Sequence, residues 1–400
     1  MKQKVVIIGH GYTSRLGIIR SLAAMDCEIT VIAMVLHGWW GRLIRFEGGK
    51  PIDCCSKHVS RVLYSNVTDE NGLIDLLLAK CVDSQQKVIL IPDSDFSAVA
   101  IDRHQDRLRS YFLFPNINYS AGAVEHWMDK NVQKKLAREI GMNIAEGRIV
   151  SVENNHYEFP ENVNYPCFTK ALATISGGKQ FLKRCNNEVE LRCVLDKVSL
   201  KYNTRVLIED FKTIDTEYAV VGVSDGKNVI IPGVIKFLVN SKSHFGIARE
   251  GIIMPPTGFE EIFEHFKSFV CNIGFCGLFD VDFYESGGKM YFGEINLRFG
   301  GSGYAYTAMG VNLPVMLVHL LRGENIDRMK QEITDTATYV NERMCLDDYV
   351  HGHISEEMYQ KIIKSADIRF VYDVSDPGPQ KKLDSYFMFA RLNRLRRKFK

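Results

Sequence analysis

The stretch from 277 to 303, GLFDVDFYESGGKMYFGEINLRFGGSG, constrains the fold more than any other part of the chain. Apolar and polar residues alternate in two runs separated by ESGGK. Alternate side chains on a strand point to opposite faces. One face carries Phe279, Val281, Phe283, Ile295, Leu297 and Phe299, and the other carries Asp280, Asp282, Glu294, Asn296 and Arg298. The pattern predicts an antiparallel hairpin with one apolar and one charged face. With ESGGK as a five-residue loop, Asp280 falls opposite Glu294 and Asp282 lies diagonal to it.

Carboxylates crowded on one face repel unless a cation lies between them. A hard divalent cation takes oxygen ligands, and magnesium usually combines one or two carboxylates with phosphate oxygens. Asn296 adds a neutral oxygen, and Arg298 adds a fork that suits a phosphate or a carboxylate. The glycines of FGGSG let backbone N–H groups approach an anion. A solvated acidic hairpin is the plain alternative; acids on both strands, with Asn, Arg and a glycine loop, argue against it.

The remaining chain supplies context. Its 400 residues allow two or three domains. Residues 1–118 alternate strands such as KVVIIG, EITVIAM and KVILIPDSD with helices such as SRLGIIRSLAAM. That order implies a parallel sheet covered on both faces, with Asp93 and Asp95 at a strand end where such sheets bind ligands. Residues 119–325 read differently: the helix MDKNVQKKLAREIGM, the strand YPCFTK, the loop SGGK, the strands RVLIEDF and TEYAVVGVSD, then the acidic hairpin. Residues 326–400 form a polar extension ending in the basic ARLNRLRRKFK.

Several classes are excluded as leading readings. A net charge of +2 gives no global attraction to nucleic acid, and no such partner is expected. The ten cysteines contain no CxxC pair or zinc spacing, which suits reduced thiols in the cytoplasm. The N-terminal apolar run is too short for a signal peptide, and no segment reaches the ~20 apolar residues that span a bilayer. GHGYTSRLG holds GxG, but its next glycine is Gly17 and no acid ends EITVIAM, so a dinucleotide site is not expected.

Over roughly 1–325 the order of lysine, lysine, glycine loop, acidic strand end and acidic hairpin resembles the ATP-grasp superfamily, with ExNxR at Glu294, Asn296 and Arg298 as the specific element. The resemblance implies a mixed α/β and α+β chain: an ATP-grasp fold behind an N-terminal parallel α/β domain, with a lid at about 142–215. It implies that Lys130 and Lys170 contact ATP phosphates, and that Ser176, Gly177 and Gly178 close over them. Glu209 and the backbone of Asp210 and Phe211 would hold adenine, and Glu217 the ribose. Asp282, Glu294 and Asn296 would hold magnesium or manganese, and Arg298 would steady the transferred phosphoryl group. The implied reaction activates a carboxylate as an acyl phosphate and joins it to an amine. The layout is also similar to the D-aspartate ligase group, through PDSD, GEINLR, GVNLP and the basic, aromatic C-terminus.

Arg249 is the candidate for binding a substrate carboxylate, with His244 and Lys242 beside it in NSKSHFGIARE. For His244 a loop histidine is the plain alternative. The basic tail after Tyr386, Phe387 and Phe389 suggests either peripheral contact with the inner face of a membrane or a solvated helix. A homodimer is a further expectation. Two other readings stay open: a carbamoyl-phosphate-synthase-like enzyme and a non-catalytic nucleotide-binding regulator.

Overall fold

The computed structural model describes residues 2–9, 13–34, 50–65, 67, 69–171, 182–244 and 246–398. The first five strands are β1 (Gln3–Gly9), β2 (Cys27–Met34), β3 (Val59–Ser65), β4 (Val88–Pro92) and β5 (Phe112–Leu113). They form a parallel sheet in the order β3-β2-β1-β4-β5, as the alternation of strands and helices predicted. Its helices include α1 (Thr13–Leu22), α2 (Glu70–Lys80) and α3 (Asp95–Arg103). Arg15 of α1 is buried and holds Asp53 at 2.5 Å, so this charge serves the domain core.

Two further sheets follow. Short strands β6 (Asn116–Ile117) and β7 (Asn143–Ile144) flank α4 (Lys130–Glu139) in sequence. A second sheet, in the span where a lid was expected and labelled the lid sheet for that reason, forms from β8 (Gly147–Glu153), β9 (His156–Tyr157), β10 (Cys167–Ala171), β11 (Lys183–Cys185) and β12 (Thr204–Asp210), with α5 (Glu188–Ser199) on one face. Val150, Cys167, Val206 and Ile208 pack on Leu191 and Leu195 of α5. The alternate residues Phe168, Lys170, Leu207 and Glu209 belong to the opposite face.

The largest sheet comprises β13 (Thr216–Asp225), β14 (Val229–Ile230), β15 (Val234–Asn240), β16 (Ala248–Met254), β17 (Phe275–Ser286), β18 (Lys289–Asn296), β19 (Ala337–Val340) and β20 (Ile368–Arg369), joined by β6 and β7. Its main path runs β20-β19-β16-β15-β13-β17-β18-β7. On one face Val281, Phe283 and Ile295 meet Phe263, Phe266 and Phe269 of α6 (Glu260–Ile273). On the other, Ala219, Val221, Val223 and Leu278 share a core with Val5, Ile7 and Val31 of the parallel sheet. That second face leaves the core at Asp280 and Asp282, where the carboxylates begin.

The C-terminal extension is stitched into this body. After α7 (Leu313–Leu321), the extension adds β19, which pairs with β16, then α8 (Glu342–Val350) and α9 (Glu356–Ser365), β20 beside β19, and α10 (Pro377–Lys398). Leu383, Tyr386 and Ala390 of α10 are buried, and Phe387 stacks on Tyr359 at 4.7 Å. Tyr386 and Phe387, the aromatics before the basic tail, therefore pack internally. Among the described residues no helix is long and apolar enough to cross a membrane.

Candidate active site

The hairpin has the expected faces up to Leu297 and a different register; Phe299, expected on the same apolar face, lies beyond the strand and packs in the core shared with the parallel sheet. Its turn is Gly287–Gly288, with φ of +55° and +72°, between paired Ser286 and Lys289. Two-residue hairpin turns favour such left-handed conformations, and glycine adopts them freely. From this turn Phe283 pairs with Phe292, and continued regularly Asp282 would face Gly293. Glu294 would then point into the apolar core. A bulge intervenes, so Asp282 pairs with Glu294 and Asp280 with Asn296. The predicted pairing of Asp280 with Glu294 is thus corrected: the loop is shorter and the strand carries one extra residue. Gly293 makes room, because a Cβ there would lie 2.7 Å from the carbonyl oxygen of Asp282.

α4 brings lysines to this face. Asp129 caps the helix through the N–H groups of Asn131 and Val132, which sets Lys130 at its first position. Buried Gln133 clamps α4 to β18: its amide donates to the carbonyl of Ile295 at 2.8 Å and accepts from the N–H of Ile295 at 3.0 Å. Lys130 consequently forms an ion pair with Glu294. Lys134, one turn on, pairs with Glu209 of the lid sheet and donates to the carbonyl of Ala145 at 3.0 Å. Lys170 reaches the same Glu209 at 2.7 Å. Glu209 is buried between two lysines on different elements, so the lid and α4 meet on one carboxylate. Gln133 and Lys134 were missed in the sequence; the i, i+4 spacing of Lys130 and Lys134 on one helix face was the available signal.

The electrostatics divide the acids. Burial works to raise Glu294, but contact with Lys130, helped by Lys170 and Arg298, holds it below the usual carboxylate value. Burial pushes Asp280 up to about 7, with Arg298 opposing and Glu294 and Asp95 adding to the rise. Burial beside Asp280 and Glu294 holds Asp282 well above the usual range. Burial pushes Lys134 down to about 7, reinforced by Lys170 and Lys130, and pushes Lys170 down to about 8 beside Lys130. The face thus crowds a buried Asp280 and a half-buried Asp282 together, and Arg298 only partly offsets the rise in both. That donor set fits a hard divalent cation. Among the described residues no three His, Cys, Asp or Glu side chains form a ready-made cage.

Other expected residues fall as follows. Arg298 donates from Nε to Asp95 at 2.7 Å and lies near Asn296 Oδ1 at 3.5 Å. Glu217 accepts from Asn240 and lines a cavity of about 520 Å³ with Asp215, Lys236 and Phe237. The N–H groups of Asp210 and Phe211 are donated to Glu146 and Pro166 carbonyls at 2.8 and 3.0 Å, so these donors are already used within the lid. The loop carrying Ser176, Gly177 and Gly178 lies outside the described residues. Arg249 is not a free guanidinium at the acceptor end. It is buried and bonds Asp348 of α8 at 3.0 Å and Glu250 at 2.7 and 2.9 Å. Asp348 also accepts from Ser241 Oγ and Ser243 N, each at 2.8 Å, and Asp347 pairs with His244 at 2.8 Å. The extension thereby fixes the loop after Asn240, beside Glu217.

The fold and this face define an ATP-grasp architecture, and comparison with solved proteins agrees. The chain superposes on N5-carboxyaminoimidazole synthetase from Staphylococcus aureus with a TM-score of 0.63 at 14% identity, covering 88% of this chain and 86% of that one. It matches L-amino acid ligase from Bacillus licheniformis with a TM-score of 0.62 at 17% identity, covering 84% and 79%. These likenesses show the fold. In sequence, it is 25% identical over 215 residues to the carbamoyl phosphate synthase large chain of Gemmatimonas aurantiaca, 52% of this chain and 19% of that one. It is 23% identical over 191 residues to the formate-dependent phosphoribosylglycinamide formyltransferase of Nitratiruptor sp., 48% of each. The match thus spans about a fifth of the first relative and half of the second. No family model matches the sequence.

Proposed function

We propose that this chain is an ATP-dependent ligase that activates a carboxylate as an acyl phosphate and joins it to an amine. The observation that carries the reading is the Lys130–Glu294 ion pair, set beside Asp282, Asn296 and Arg298 on one strand-paired face. Lys130 and Lys170 hold the phosphates of ATP, each exchanging a carboxylate partner for a phosphate oxygen. Asp282, Glu294 and Asn296 would hold magnesium or manganese, which would supply charge neutralisation at the phosphates. A carboxylate oxygen of the substrate attacks the γ-phosphorus and ADP leaves. Arg298 stabilises charge on the transferring phosphoryl oxygens. The amine nitrogen then attacks the acyl carbon, phosphate departs, and the nitrogen gives up a proton as the amide forms.

The substrates to test first are amino acids, D-aspartate among them, with a cell-envelope precursor as the partner. The ten free cysteines support a reducing, cytoplasmic setting. Sedimentation tests for a homodimer. A second reading, a carbamoyl-phosphate-synthase-like activity, draws on the sequence likeness to those large chains. ADP release screened over carboxylates and amines separates the two, because the second reading requires turnover with bicarbonate and ammonia alone. Glu294→Ala should lower ADP release about 100-fold or more. Near-full release with the true substrate would remove the hairpin from the chemistry.

A further inference from the structure

Arg298 is held from outside its own domain. Its Nε–H donates to Asp95 Oδ1 at 2.7 Å, a contact between residues 203 apart in sequence. Asp95 is the first residue of α3, with two residues between it and the end of β4, and it is itself fixed. Ser94 and Ser97 form a capping box at this helix end, and Ser97 Oγ donates to the Ile8 carbonyl of β1 at 2.9 Å. β1 and β4 are the strands between which the order of the parallel sheet reverses. The crevice at their carboxyl ends therefore faces the acidic hairpin, and Asp95 bridges them.

The geometry of the guanidinium gives this bridge a role. Arginine presents five N–H groups in one plane. Asp95 occupies the Nε edge with a short, charge-assisted bond. Among the described residues the terminal nitrogens make long contacts, Nη1 to the Phe299 carbonyl and Nη2 to Asn296 Oδ1, each at 3.5 Å. Such contacts are weak and easily exchanged. The side chain is thus clamped at its stem while its fork remains available to a doubly accepting anion.

We propose that Asp95 is a positioning residue: it fixes the Nε edge of Arg298 so that the Nη fork meets the γ-phosphoryl group, coupling the docking of the parallel α/β domain to the competence of the ATP site. This rests on the ligase reading. The rival explanation is that Asp95 only stabilises the N-terminus of α3.

Titration calorimetry of the full chain with magnesium-bound ADP and with a non-hydrolysable ATP analogue distinguishes them. Asp95→Ala should weaken the triphosphate analogue about tenfold and leave ADP unchanged. Arg298→Ala should do the same, and the double variant should lose no more than Arg298→Ala alone, as expected of coupled residues. Asp95→Asn, which keeps an acceptor of the same shape, should recover part of the loss and serves in place of the alanine variant if that one fails to fold. Equal loss for both nucleotides, additive losses in the double variant, or unchanged binding would overturn the proposal. Glu125→Gln, which loosens the exposed pair with Arg103 in the same region, should leave the ratio of the two affinities unaltered. If the unaltered protein binds neither nucleotide, the ATP site itself fails, and that result precedes any Asp95 variant.

Discussion

Lys170 offers the most direct test of the proposed phosphate site. In the free protein burial, with Lys130 beside it, pushes its amine down to about 8. Glu209 holds it at 2.7 Å. An incoming triphosphate places negative charge beside the amine and favours its protonated form. Binding must then draw a proton from solution wherever free Lys170 is partly neutral. For an amine at that value, uptake is about 0.1 proton at pH 7, about 0.5 at pH 8 and about 0.9 at pH 9. Affinity for ATP should fall by about tenfold between the low-pH limit and pH 9, since only the protonated fraction is competent. Calorimetry in two buffers of different ionisation enthalpy reads the proton number directly. Lys170→Arg keeps a permanent charge and should abolish its share of the uptake. Lys134, pushed down to about 7, sets a background that is near its maximum already at pH 8, so the rise between pH 8 and 9 belongs mainly to Lys170. A proton number that stays flat over that range, or one equally large in Lys170→Arg, would refute the assignment of Lys170 to the phosphates.

Three further outcomes are expected. Gly293→Ala puts a Cβ 2.7 Å from the Asp282 carbonyl, so it should cost about 1–3 kcal/mol in urea unfolding and remove the magnesium dependence of nucleotide binding; a normal magnesium response would show that the bulge does not set the site. Asp348→Ala strips Arg249 and the loop at Ser241–Ser243 of a buried acceptor and should destabilise the protein by about 3–5 kcal/mol, whereas a change below ~1 kcal/mol would mean that the extension does not anchor the loop. Lys134→Met tests the buried amine. The folded value of about 7 lies below the ordinary 10.5, so the unfolded chain binds more protons between them and the native protein gains stability as pH rises through that window. Urea unfolding at pH 6.5 and 9.5 should show this gain shrinking in Lys134→Met, and an unchanged pH dependence would contradict it.

The sequence made the faces of the hairpin legible because strand alternation is a local property. Phe279, Val281 and Phe283 had to share a side, and Asp280 and Asp282 had to share the other. The order of lysines and acids was equally readable, and with it the fold. What stayed hidden was set at long range. Arg249 and Asp348 are 99 residues apart, and nothing local to either announces that an exposed-looking arginine closes a buried network. Asp95 and Arg298 are further apart still, on domains whose docking depends on the shared core of Val221, Leu278 and Val31.

The register failed for a subtler reason. The turn at Gly287–Gly288 is shorter than the ESGGK loop, which alone would swap the partners of every acid on the hairpin. The sequence already held the compensation: Phe292 and Ile295 are both in the apolar core, three positions apart, which no regular strand allows. One extra residue must therefore lie between them, and Gly293 is the one whose backbone can approach Asp282 that closely. The bulge moves Glu294 from the core face to the cleft face and leaves Phe292 where it was. Bulges recur where a side chain must be re-aimed at a working site. Here the re-aimed side chain is the carboxylate that meets Lys130, so the irregularity that defeated the pairing rule is also what assembles the charged face.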